Sequence, residues 1–248
     1  MNPQFTPPPV PPAAPPAPEP PLPDHLDTKS LFEALLRSPR TLGGRLADGV
    51  HNATGRFALL SIISLVLFGV VLGCFAKQEQ LWAAPLKITC GLMFAGLICY
   101  PSLYIFSTLA GARVSAGQLA ATLAGALALA GALLLGFAPA VWIFAESTDS
   151  LGFMGFLSLA AWLIALFFAV RFLNQVVFAA GATQKGPLGV WAIVFLLVTL
   201  QMTTSLRPIL GRSEKFLTSE KKFFLQHWGE QMDRTLPRTA ETGTPEKP

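Results

Sequence analysis

The sequence predicts an all-α, polytopic transmembrane bundle of about five helical spans, with amphipathic surface helices and a disordered proline-rich arm at its N-terminus. Three observations carry that prediction. The 248 residues are 52% hydrophobic with a mean hydropathy of +0.52. Only 13% are charged, against about 25% in an ordinary soluble domain. The charge is also uneven, because residues 57 to 206 hold just Lys77, Glu79, Lys87, Arg113, Glu146, Asp149, Arg171 and Lys185 of the 32 charged residues. A bilayer core about 30 Å thick needs roughly 20 apolar residues per helix, and this stretch supplies about five such segments. The overall charge of +4 includes no basic run of the kind that binds nucleic acid, so no nucleic-acid partner is expected.

Residues 1–27 form the arm. Twelve of the 21 prolines lie between residues 3 and 23, where the missing N–H groups and fixed φ favour extended polyproline II or disorder over helix or sheet. Such a tract serves either as a solvated spacer or as a ligand for a proline-binding module. No cleavable signal is expected, and the first span is expected to act as its own insertion signal.

Residues 28–56 read as interfacial helices. Ser30-Leu31-Phe32-Glu33 matches a capping box at a helix start. Leu31, Phe32, Leu35 and Leu36 follow on one side, and Ser38-Pro39 should end the helix, since proline pushes its predecessor out of the α region. A second weak stretch carries Leu42, Leu46 and Val50. Both stretches suit either the membrane surface or packing against the rest of the protein.

The spans are expected at 57–76, 88–109, 118–145, 152–170 and 188–205. Backbone polar groups within lipid must be satisfied internally, and the segments lack the alternation of barrel strands, so they should be helices. The fourth is expected to continue past the bilayer, with Asn174 and Gln175 at the interface. Residues 207–248 form a basic amphipathic tail in which Phe216, Phe223, Phe224 and Trp228 accompany Lys215, Lys221 and Lys222, a pattern suited to anionic headgroups.

Two groups of residues stand out within the spans. Ala120, Ala124, Ala128, Ala132 and Gly136 recur at a spacing of four, with Gly69 and Gly73 a shorter version on the first span. Small residues so placed let another helix approach closely, in a monomeric bundle or across a homodimer seam. The second group is polar or helix-breaking: Tyr100, Pro101, Ser102 and Tyr104 on the second span, and Gln201, Thr204 and Arg207 around the end of the fifth. These residues line a solute path in a transporter or hydrogen-bond neighbouring helices. Lys87 and Arg171 are placed near span ends, where their charges can snorkel. Cys74, Cys90 and Cys99 sit in apolar segments without nearby histidine, so neither a metal site nor a cofactor is expected. No nucleophile, P-loop, HExxH or paired-carboxylate motif is present, so no enzymatic activity is expected.

The proline-rich arm, the helix ending in Leu35-Leu36-Arg37-Ser38-Pro39-Arg40 and the five closely spaced spans resemble bacterial members of the Yip family of five-span membrane proteins. Ala84-Pro85-Leu86-Lys87, Tyr100-Pro101-Ser102-Leu103-Tyr104 and Gln201-Met202-Thr203-Thr204-Ser205-Leu206-Arg207-Pro208 are similar to stretches of bacterial inner-membrane proteins with no assigned function. The Yip resemblance implies a cytoplasmic N-terminus and a role as a membrane adaptor or organiser. The expected function is therefore a non-enzymatic adaptor or scaffold, alternatively a permease or channel subunit, with the lipid bilayer and other membrane proteins or a homo-oligomer as partners. Near the spans, basic residues number five on the N-terminal side (Arg40, Arg45, Arg56, Arg113, Lys185) and seven on the other (Lys77, Lys87, Arg207, Arg212, Lys215, Lys221, Lys222). That count alone slightly favours an external N-terminus. Exporting a 56-residue tail with ten charges is the harder task, and the loop bearing Glu146 and Asp149 has no Lys or Arg, so a cytoplasmic N-terminus is expected.

Overall fold

A computed structural model describes residues 27–47, 53–76, 80–148 and 150–205. The expected arm, the basic tail and Arg207 lie outside these residues. Seven α-helices follow in order: α1 (Thr28–Arg37), α2 (Pro39–Ala47), α3 (Thr54–Ala76), α4 (Gln80–Leu109), α5 (Ala116–Ser147), α6 (Leu151–Ala179) and α7 (Gly186–Ser205). Within the described residues Thr54–Cys74, Trp82–Leu109, Ala116–Ser147 and Gly152–Ala179 are long and apolar enough to cross a membrane. The fifth apolar helix, α7, has 20 residues, or about 30 Å at 1.5 Å per residue.

The first helix starts earlier than the Ser30 capping box predicts. Asp27 is its N-cap and makes no side-chain capping bond. Glu33 instead pairs with Arg37 at 3.1 Å, one turn on, where the i,i+4 spacing places opposite charges side by side. Ser38 ends α1, and Pro39 opens α2, the first helical position that proline tolerates. Neither helix lies free on a surface. Leu31, Leu35, Leu42 and Leu46 are fully buried, α1 packs on α3, and α2 packs chiefly on α6. Gly43 is the contact point, since a Cβ there would stand 3.1 Å from Val176 Cγ2.

The second span begins eight residues before its expected start at 88, and α4 runs straight through Pro85. Pro85 falls in the second turn, so the carbonyl it leaves without an intrahelical donor lies in the first turn, near the helix end. Its ring also has a seat. A Cβ on Gly69 would lie 2.4 Å from Pro85 Cα, so only glycine lets α3 and α4 meet there.

The capping box that does form opens α5. Ser115 Oγ accepts from Gln118 N–H at 3.2 Å, and Ser115 N–H donates to Gln118 Oε1 at 2.7 Å. From Ala121 to Ala132 every residue of α5 is buried, because α3, α4, α6 and α2 surround it. It is the central post of the bundle. α6 is one continuous helix to Ala179, with Ala165, Ala169, Phe172, Leu173 and Val176 turned to the core.

The α4–α5 and α6–α7 connections are the same structure repeated. Ala112 N–H donates to Ser107 O at 3.0 Å, and Ala182 N–H donates to Val177 O at 3.3 Å, the six-to-one bond of a Schellman motif. Gly111 and Gly181 carry the left-handed φ of 90° and 95° that this motif requires and that glycine adopts without a Cβ clash. α4 and α6 end at 109 and 179, and α5 and α7 begin at 116 and 186, a constant offset. The two turns also clasp each other. Thr183 N–H donates to Ala110 O at 2.9 Å, and Arg113 N–H donates to Ala180 O at 3.0 Å. Correspondingly, α5 packs on α6 and α7 packs on α4, so two helix pairs are related by a local two-fold. The sequence carries the signal in the repeated Ala110-Gly111-Ala112 and Ala180-Gly181-Ala182.

Candidate functional site

The small-residue ridge is only partly a packing surface. Ala124, Ala128 and Ala132 are buried, with Ala128 at 0% exposure, and Ala120 is half-buried. Gly136 is exposed and nothing lies within 4 Å of where its Cβ would be. Two glycines of α5 outside the expected series, Gly125 and Gly131, also sit close against neighbouring helices. A Cβ on Gly131 would meet Ser64 Cβ at 3.2 Å and Ser61 O at 3.3 Å, and one on Gly125 would meet Phe172 Cε1 at 3.2 Å. Gly69 seats Pro85, as above, and Gly73 is buried. A spacing of four tracks one face, whereas α5 is buried on every side from Ala121 to Ala132, so residues off that face also meet neighbouring helices.

The expected polar path does not converge. Tyr100 Oη–H donates to Ala116 O at 2.7 Å, tying α4 to the start of α5. Ser102 Oγ–H donates to Cys99 O at 2.8 Å, while Pro101 and Tyr104 are exposed, Tyr104 at 41%. The carbonyl of Cys99 joins α4 to α7. Buried Trp191 on α7 donates its Nε1–H to Cys99 O at 3.1 Å and stacks on Phe195 with ring centroids 5.1 Å apart. This contact also sets the register of antiparallel α4 and α7. Gln201, ten residues beyond Trp191 along α7, lies about 15 Å away from the Cys99 level and cannot share a site with Tyr100, Ser102 and Tyr104. Gln201 is half-buried; the side chain of Thr204 lies outside the described residues.

The same register brings Gln201 to the depth of Thr89, two residues from Lys87. Lys87 is not near a span end as its sequence position suggests. It is the eighth residue of α4 and only 3% exposed, about 7 Å deeper than Trp82, which is 84% exposed where an interfacial aromatic belongs. Thr89 is also buried and its Oγ1 has no hydrogen-bond partner among the described residues. With the span expected to start at 88, Lys87 is expected just before it, whereas α4 carries it inside the helix.

At the opposite end, where α1 and α2 dock, Arg40 of α2 and Arg171 of α6 flank a groove of about 670 Å³. Phe167, Val170 and Phe178 line it on the apolar side, and Asn174 and Gln175 add polar lining. Its α6 residues recur at 167, 170, 171, 174, 175 and 178, one face of the helix. Among the described residues no group of His, Cys, Asp or Glu is placed to hold a metal ion.

The fold and these features define a helical membrane bundle with a docked α1–α2 cap. No protein-family model, curated protein or solved structure matches the chain.

Proposed function

We propose that this protein is a non-enzymatic adaptor or scaffold of a bacterial inner membrane, with its N-terminus in the cytoplasm. The observation that carries the reading is the docking of α1 and α2 by four fully buried leucines. It fixes residues 28–47 to the membrane bundle, as a platform for a soluble or membrane partner requires. The orientation has support from charge. The connections between spans at the α1–α2 end carry Arg113 and Lys185, whereas those at the other end carry Lys77 with Glu79 and Glu146 with Asp149. Basic residues favour the cytoplasmic side. α7 is the fifth span in this reading, and the five-span architecture resembles the Yip family. Crosslinking in intact cells, purification of the full chain in mild detergent and mass spectrometry test the proposal. A reproducible partner that is lost on deletion of residues 1–26 supports it; recovery of the protein alone refutes it.

A transport subunit is the second reading, favoured by buried Lys87. An ionisable side chain inside a membrane is costly and commonly marks a functional path. Solute flux into liposomes that Lys87→Met or Gln201→Ala abolishes would establish it.

A further inference from the structure

We propose that the groove between α2 and α6 binds the headgroup of an anionic phospholipid, with the acyl chains continuing down the exposed face of α6. The first argument is depth. Arg171 lies twenty residues beyond Leu151, the first residue of α6. At 1.5 Å per residue this is about 30 Å, the thickness of the hydrocarbon core. When the start of α6 stands at one boundary of that core, Arg171 therefore stands at the other, at the level of the phosphates.

The second argument is chemistry. Arg40 and Arg171 come from two different helices and are both exposed. Among the described residues neither forms an ion pair, and no Asp or Glu lines the groove. Two planar guanidinium groups suit a phosphodiester, whose oxygens accept paired N–H bonds. Asn174 Oδ1 is buried and has no hydrogen-bond partner among the described residues. It is an acceptor beside two donors of positive charge, and a headgroup hydroxyl of the phosphatidylglycerol type would donate to it while the phosphate takes the arginines. A choline headgroup has no hydrogen to give.

The third argument is shape. The groove's volume is within the range of small-molecule sites. Below it Phe167 and Phe168 stand exposed, edge to face at 5.5 Å between ring centroids, with Ile164 and Leu163 exposed further down. A free phosphate makes no use of that wall, whereas an acyl chain does. The inference rests on the membrane placement of the bundle and is independent of any protein partner.

The test uses the full-length protein in neutral detergent, titrated with short-chain phosphatidylglycerol, the matching phosphatidylcholine, or inorganic phosphate, with thermal unfolding as the readout. Phosphatidylglycerol should stabilise the protein, and phosphatidylcholine and phosphate should not. Each of Arg40→Gln and Arg171→Gln should weaken the phosphatidylglycerol affinity about fivefold, and the double variant about 25-fold, from the contribution of one basic side chain near an anionic headgroup. Equal stabilisation by phosphatidylcholine, equal stabilisation by phosphate, or an unchanged affinity in the double variant overturns the proposal. Should the double variant not fold, a photoactivatable phosphatidylglycerol on the unaltered protein decides the matter. Adducts on α2 and residues 167–179 support the site, and adducts only elsewhere refute it. Failure to capture a protein partner in cells would leave these outcomes unaffected, so the two readings fail separately.

Discussion

Replacing Gly69 by alanine adds one methyl group at the closest point between α3 and α4. That Cβ would stand 2.4 Å from Pro85 Cα and 3.0 Å from Pro85 N, whereas carbon atoms sit optimally about 3.5–4.0 Å apart. The obstacle is the backbone of a proline in a helix, which has no rotamer to change, so the helices must part by about 1 Å or more. Overpacking of this kind costs typically about 1–3 kcal/mol, and a clash with fixed backbone belongs at the upper end. Alanine returns about 1 kcal/mol through its better helix propensity, leaving a net loss of about 2 kcal/mol. Gly136 provides the internal control, because nothing lies within 4 Å of its Cβ position. There the same substitution keeps the propensity gain of up to about 1 kcal/mol without a clash. At about 2–4 °C per kcal/mol for a chain of this length, Gly69→Ala should lower the unfolding midpoint in detergent by about 4–8 °C. Gly136→Ala should leave it unchanged or raise it by a few degrees. A Gly69→Ala protein as stable as the parent, or two variants that behave alike, would refute the close approach of α3 to Pro85.

Further predictions follow from other contacts. Ala128→Leu, at a position with no exposure in the centre of α5, should destabilise the bundle by about 1–3 kcal/mol through overpacking, read as a lower unfolding midpoint; an unchanged midpoint would mean that this face of α5 meets lipid. Trp191→Phe removes the donor to Cys99 O and part of a buried ring, and should cost about 1–3 kcal/mol. Tyr100→Phe removes a bond to the backbone at an exposed position and should cost about 1 kcal/mol or less, so equal losses in the two variants would argue against the α4–α7 clamp. Leu42→Ala removes a fully buried side chain from the α2 docking surface and should cost about 2–5 kcal/mol. The effect should appear as faster proteolysis within residues 28–47, with the spans still protected; uniform protection throughout would contradict the docking of α2.

The helical bundle itself was legible in composition. Apolar segments of about 20 residues almost free of charge have one solution in lipid, because each backbone polar group must be paired within its own segment. Ser38-Pro39 likewise marked the boundary between α1 and α2 through the steric restriction that proline places on its neighbour. Other features depended on what came to lie beside what. Pro85 and Lys87 precede the expected start of the second span at 88, and became interior positions of α4, where glycine at position 69 of another helix makes room for the proline. Ser30 and Ser115 head similar capping patterns, yet only Ser115 forms the box, since Glu33 pairs with Arg37 instead. The alanines at spacing of four pointed to one packing face of α5, but burial on every side from Ala121 to Ala132 brought Gly125 and Gly131, off that series, against neighbouring helices as well. The polar residues of α4 and α7 looked like members of one path until the bond from Trp191 to Cys99 set the register and separated them along the membrane normal. Arg40 and Arg171 are 131 positions apart in the chain and became neighbours only through the docking of α2 on α6. Hydropathy and local sterics act within a segment and can be read from it, whereas register, depth and the meeting of side chains are properties of pairs of helices that packing alone decides.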